Sequence, residues 1–233
     1  MDKQRIAIFG AQDSLTGRIV ELLNRLGKYE IAFFISVNEL PKIDVFYEHS
    51  VRPHGRTEFP IRNSFFGKEI FVGDRYIETL RESNIKSCFV LENDQILRSQ
   101  IFKRLNEAGI KTLSYVDPST NLGGKNQIGP GTIIFPNCYL GYKTDTQIGS
   151  IIQSGSLIEH HSVVGNFVNI NPRLTTGGFV KVDDFAQINI SVDISNRVTI
   201  GAHSIVGAGS LVINNCEPRS LYYGRPASFV RNI

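Results

Sequence analysis

The chain has 233 residues, a formal net charge of +3, 41% apolar residues and 20% charged residues. This is ordinary globular composition with enough length for one or two cores; no lysine- or arginine-rich run marks a nucleic-acid surface, and no stretch of 18 uninterrupted apolar residues marks a membrane span. Cys88, Cys138 and Cys216 are far apart and odd in number, and the start, MDKQRIAIFG, enters a strand with no signal-peptide pattern, so a reducing compartment, the cytoplasm, is expected without a disulfide framework.

Residues 5–10 (RIAIFG) predict a buried strand. Residues 14–27 carry Leu15, Ile19, Leu22, Leu23 and Leu26 at helical spacing, closed by Gly27. Strands follow at 30–37, 68–72, 86–91 and 111–116, with helices at 75–83 and 94–108. Strands alternating with helices predict a parallel sheet covered by helices over residues 1–116, a Rossmann-like domain. The first strand–helix loop of such a sheet often holds an anionic ligand. Here it reads Gly10-Ala11-Gln12-Asp13-Ser14-Leu15-Thr16-Gly17 and lacks the G-x-G-x-x-G spacing. It serves either as a tight turn with a capped helix or as a nucleotide-sugar contact. Residues 48–62 carry His49, Arg52, His54, Arg56 and Arg62. They read as a solvated loop or as a guanidinium clamp on a diphosphate.

After Asp117-Pro118-Ser119 the pattern changes. Stepping by six from Leu122 meets sixteen positions up to Val212; fourteen are aliphatic, the exceptions being Thr146 and Thr176, and no gap breaks the register. A second column, four residues after these, is mostly small or β-branched, with Thr132, Cys138, Ser150, Ser162 and Ser204 among its members. One residue after each lies a glycine at 123, 129, 141, 165, 177, 201 and 207; these are expected to take positive φ at the bends. A unit of six is one short strand plus a corner, and three units close one triangular coil of 18 residues. Residues 117–233 are therefore predicted to form a left-handed parallel β-helix of hexapeptide repeats, about five coils tall between 122 and 217.

The pieces IAIFGA at 6–11, LIEHHSVVGNFVNI at 157–170, TIGAHSIVGAGSLV at 199–212 and YGRPAS at 223–228, in that order, carry a family likeness. Together they make the chain resemble the bacterial sialic-acid O-acetyltransferases and nucleotide-linked amino-sugar N-acetyltransferases, over nearly its whole length. The resemblance implies a homotrimer with active sites between adjacent β-helices, acetyl-CoA as co-substrate and no resident metal. It implies that the histidine after Ile-Glu, His160, is the general base. It places Gly224, Pro226 and Ala227 near the far end of the coenzyme, with Gly177, Gly178 and Gly207 also on its path. Gly10, Ala11, Gln12 and Asn169 fall to the sugar substrate. Three features depart from the family: His161 replaces the acidic residue after the base, Asn169 replaces a second histidine, and Ser36, Val37 and Asn38 replace acidic residues after the second strand.

An 18-residue coil also predicts stacking. Gly178 should lie beneath His160 and Tyr142 above it, leaving room for a thioester and offering the N–H of Gly178 or Gly177 to an oxyanion. Histidine suits the base because its ordinary pKa is near neutrality. Adjacent strand residues point to opposite faces, so His161 is expected either to assist or to face solvent. His203, in the same phase, is expected to be structural or solvated. Gln153, Asn171 and Asn189, spaced by 18, should form an amide ladder. The expected reaction is N-acetylation of a nucleotide-linked amino sugar in bacterial surface-glycan synthesis. The alternatives are O-acetylation of a sialic-acid-like sugar, a zinc hydratase resembling the γ-type carbonic anhydrases, and a non-catalytic sugar-nucleotide binder.

Overall fold

The computed structural model describes residues 3–11, 13–38 and 63–233. Gln12 and the arginine- and histidine-bearing segment 48–62 lie outside the described residues. The chain forms two compact units, one of residues 1–93 with 101–112, the other of residues 94–100 with 113–233.

Up to residue 112, β1 (Gln4–Phe9), α1 (Arg18–Leu26), β2 (Tyr29–Ser36), β3 (Ser64–Phe65), β4 (Lys68–Val72), α2 (Tyr76–Glu82), β5 (Ser87–Val90), α3 (Gln95–Glu107) and β6 (Lys111–Thr112) follow in chain order, the start of α3 up to Gln100 belonging to the second unit and the rest to the first. Their sheet order is β3-β4-β2-β1-β5-β6. All neighbours are parallel except the β3–β4 hairpin, whose turn residues Phe66 and Gly67 have φ of 48° and 68°. The parallel part is the Rossmann half-sheet order, with β1 in the middle and the Gly10 loop at its carboxyl end. The apolar run Ile6–Phe9 is buried, as a strand covered on both faces requires. The expected first helix differs at its start: residues Asp13–Gly17 form a π-helical turn before α1. Gly27 ends α1 at φ 63°, its N–H reaching Leu23 and Asn24 carbonyls.

The expected strand over 111–116 splits in two. Lys111–Thr112 stays in the first sheet, whereas Tyr115–Val116 pairs with Ile133–Ile134. Val116 lies six residues before Leu122 and belongs to the repeat. From there two-residue strands recur every six residues to Leu211–Val212. They stack into three parallel sheets, one per face, in an 18-residue register such as Ile133↔Ile151, Tyr139↔Leu157 and Asp145↔Val163. The aliphatic column fills the interior: Ile134, Leu140, Ile152, Ile158, Ile170, Ile188 and Val206 are all buried. Each such side chain contributes about 2 kcal/mol by burial. Hydroxyls of the small column tie one coil to the next; Thr132, Thr144 and Ser150 donate to the carbonyls of Gln147, Glu159 and Gly165.

The glycine column does not take positive φ. Those glycines are set by close approach instead: a Cβ on Gly177 would lie 2.6 Å from Asn196 N, and one on Gly141 2.5 Å from His160 N. Positive φ falls two residues later, at the third position after each aliphatic, without exception from Lys125 to Gly209. The turn of each corner is made there, and most of those residues are not glycine.

Candidate active site

His160 and His161 occupy the corner after the Leu157–Ile158 strand, and both are exposed in the protomer. Because they lie in the turn and not in a strand, they do not diverge to opposite faces. His161 has φ of 58°. The two Nδ1 atoms lie 3.1 Å apart and the rings are nearly perpendicular, at 89°. The backbone N–H of His161 donates to the Tyr142 carbonyl at 2.9 Å. Its ring stacks on Phe179, with centroids 4.8 Å apart and planes 10° from parallel. The Arg197 guanidinium lies 4.8 Å from the Phe179 centroid, and Tyr142 meets His161 edge-on at 5.8 Å. Successive coils thus build an ordered column along this edge.

The His160 ring rests on Gly178, as the coil spacing predicts. A Cβ there would lie 2.6 Å from Cε1 and 2.8 Å from Nε2, so no other residue fits without moving the ring. The His160 N–H donates to Glu159 Oε2 at 3.1 Å. The preceding N–H, of Glu159, donates to the Thr176 hydroxyl at 3.0 Å. Strand pairing is correspondingly shortened to Leu157↔Thr175, where neighbouring coils pair both residues. One of the two breaks in the aliphatic column, Thr176, therefore lies one coil below Ile158, just before the histidine corner. The Gly177 N–H is already committed to the Ile194 carbonyl at 2.8 Å, which removes it as an oxyanion donor. The Gly178 N–H has no protein acceptor among the described residues.

The remaining expected site residues lie elsewhere. Asn169 is on another face, paired with Ile151 and Gln187. Its Oδ1 accepts from Arg98 Nη2 at 2.7 Å. Arg98, fully buried at the start of α3, also donates to the carbonyls of Gly149 and Phe167 at 2.9 and 3.1 Å. Gln95 adds a 2.8 Å bond to the Phe167 carbonyl. Gly207 donates to the Tyr222 carbonyl and is covered by the Tyr223 ring. Gly224, Pro226 and Ala227 form the turn of a hairpin between Ser220–Gly224 and Ala227–Asn232, where Arg225 reaches Asp193 at 2.9 Å. Gly10, at φ 91°, gives its N–H to Ile35, and a Cβ there would meet the Leu91 carbonyl oxygen at 2.7 Å; tight packing accounts for it, and Ala11 beside it is buried. Buried Thr16 nearby leaves its hydroxyl without a partner among the described residues.

The amide ladder is present: Gln153 donates to Asn171 at 3.0 Å and Asn171 to Asn189 at 3.1 Å. His203 stacks on Phe185 at another edge, 4.9 Å between centroids. The three cysteines are free and buried; burial pushes the thiols of Cys88 and Cys216 up to about 12. Among the described residues no group of three His, Cys, Asp or Glu side chains could hold a metal ion, and no helix is long and apolar enough to cross a membrane. Phe179 was not anticipated, although the 18-residue stacking applied to His161 points to it. Thr176 was marked by its break in the aliphatic column. Arg98 carries no signal in the sequence, since only its placement shows that it is buried.

No protein-family model matches the chain. It is similar to the bifunctional protein GlmU of Alkaliphilus metalliredigens, 24% identical over 153 residues that cover 53% of this chain and 33% of that protein. It thus spans about a third of the length of that curated relative. Among solved structures it is similar to PerB from Caulobacter crescentus in complex with CoA and GDP-perosamine: TM-score 0.82, 20% identity, 97% of each chain. It is also similar to the acetyltransferase domain of PglB from Neisseria gonorrhoeae in complex with acetyl coenzyme A: TM-score 0.76, 18% identity, 98% of this chain and 100% of that one. Over nearly its whole length the chain has the fold of the sugar N-acetyltransferases of the hexapeptide-repeat family.

Proposed function

We propose that the protein transfers the acetyl group of acetyl-CoA to the amine of a nucleotide-linked amino sugar. The observation that carries this reading is the His160 imidazole, exposed at a β-helix corner and seated on Gly178 where no side chain intrudes. That corner belongs to a fold otherwise seen with CoA and GDP-perosamine bound in PerB.

In this reaction His160 Nε2 takes a proton from the attacking amine as nitrogen adds to the thioester carbonyl. The Gly178 N–H, which has no backbone acceptor among the described residues, would donate to the developing oxyanion. Collapse breaks the C–S bond, and the proton on His160 passes to the departing thiolate. No covalent enzyme intermediate is needed, consistent with three buried cysteines of which two have strongly raised thiol pKa values.

The acyl donor would run past Gly177, Gly178 and Gly207 toward Gly224, Pro226 and Ala227. The nucleotide sugar would use Gly10, Ala11 and Gln12 of the domain spanning 1–116, with the transfer chemistry in 117–233. Asn169, on a different face from His160, would contribute from an adjacent subunit of a homotrimer. Its site would then lie between protomers.

The test is thiol release from acetyl-CoA by the purified protein, against UDP-, GDP- and dTDP-linked amino sugars and free sialic acids. Release with one nucleotide-linked amino sugar is expected. Release with a sialic acid alone would move the acceptor from nitrogen to oxygen, and none with any acceptor would overturn the reading. Stoichiometric zinc in the same preparation would instead favour hydratase chemistry.

A further inference from the structure

Resting on the reading of His160 as base, we infer that His161 sets the tautomer of His160, replacing a carboxylate with a neutral imidazole acceptor. The two Nδ1 atoms are 3.1 Å apart, so one carries the hydrogen and the other accepts it. A base at Nε2 requires His160 to be the Nδ1–H tautomer. His161 must then present a bare Nδ1 and keep its own hydrogen on Nε2. When His160 takes the amine proton it becomes an imidazolium whose Nδ1–H still points at that lone pair. The proton count closes: one hydrogen stays between the rings throughout, and the transferred proton enters and leaves at His160 Nε2. His161 touches no reacting atom, so it is a positioning residue.

The surroundings fix the ring that does this. His161 lies in a left-handed corner, stacked on Phe179 at 4.8 Å with Arg197 on the same Phe179 ring, and edge-on to Tyr142. The charged groups around the pair are Glu159, whose carboxylate is held by the His160 N–H, Lys143 at the corner of the adjoining coil, and Arg197 two coils away beyond Phe179. No described contact puts a carboxylate on either imidazole. A φ of 58° lies in the left-handed region, which side chains of L residues disfavour.

His161→Phe is the informative variant, because Phe167, Phe179 and Phe185 already occupy corners of the same φ. It keeps the stack and removes only the acceptor nitrogen. We expect kcat to fall about 10- to 100-fold with the KM for acetyl-CoA unchanged. The same change in a His160→Ala background should have no further effect, since His161 acts only through His160. His161→Asn, which accepts positive φ and offers Oδ1 to the Nδ1–H, should recover part of the rate. Independently of activity, long-range ¹H–¹⁵N spectra of the wild-type rings should show His160 protonated on Nδ1 and His161 on Nε2. A His161→Phe enzyme of wild-type rate, an equal loss without His160, or the opposite tautomers would each overturn the inference. A wild-type protein inert toward acetyl-CoA would instead overturn the functional reading, and the spectra would still decide the tautomers.

Discussion

Three edges run along the β-helix, and they spend the same backbone conformation differently. On one edge the positive-φ corners are Lys125, Lys143, His161, Phe179 and Arg197, with no glycine among them. On another they are Asn137, Gly155, Arg173, Ser191 and Gly209, mostly small residues that the left-handed region accepts. The coil geometry at both edges is identical, so folding alone does not call for long side chains at the first. The first edge carries five residues in the left-handed region, one of them His161, which stands beside His160. The third edge, with Gly131, Gly149, Phe167, Phe185 and His203, lies between these cases. There the corner carbonyls of Gly149 and Phe167 are occupied by buried Arg98. One edge thus carries an exposed histidine pair, another is tied down by an arginine, and a third is plain.

That contrast can be broken by substitution. The largest effect is expected for Gly178→Val, because any side chain there displaces the His160 ring. Initial rates of thiol release should fall about 10³-fold, approaching loss of the base, with little change in melting temperature. Arg98→Ala should act on stability first. It removes the donor to the buried Gly149 carbonyl and to the Asn169 amide oxygen, while Gln95 still bonds the Phe167 carbonyl, and denaturant titration should show a loss of about 3 kcal/mol. His203→Ala compares two histidines in the same corner phase. It removes only a stack on Phe185, so stability should drop by about 1 kcal/mol or less, with thiol release unchanged. The smallest effect belongs to the plain edge. Arg173→Gly relieves left-handed strain but gives the unfolded chain more freedom, so stability should stay within about 1 kcal/mol of wild type. A comparable loss of rate on the plain edge would end the distinction between the edges.

The β-helix was legible in the sequence because its interior repeats at a fixed step. Leu122 to Val212 hold one register, and even Val116, outside the expected domain, obeys it. The stacking of His160 on Gly178 followed from the same step. The conformation of the corners did not. Gly141 and Gly177 suggested positive φ, yet they are small because the next coil presses on them, and the bend falls on residues such as His161 and Phe179. Residue type alone cannot separate these two demands on a glycine. The pairing of His160 with His161 was hidden for a related reason. Strand alternation sends neighbours apart, but a left-handed turn brings them together. Arg98 was unreadable, since two of its partners are backbone carbonyls and the third, Asn169, lies 71 residues away in sequence.

The most direct test of the account compares wild type with His160→Ala, using acetyl-CoA and the best nucleotide-linked amino sugar, with donor binding measured by calorimetry. The account predicts that acetyl-CoA binds both proteins alike while the rate of thiol release falls by about 10³-fold. A His160→Ala protein that binds acetyl-CoA and releases thiol at the wild-type rate would contradict it.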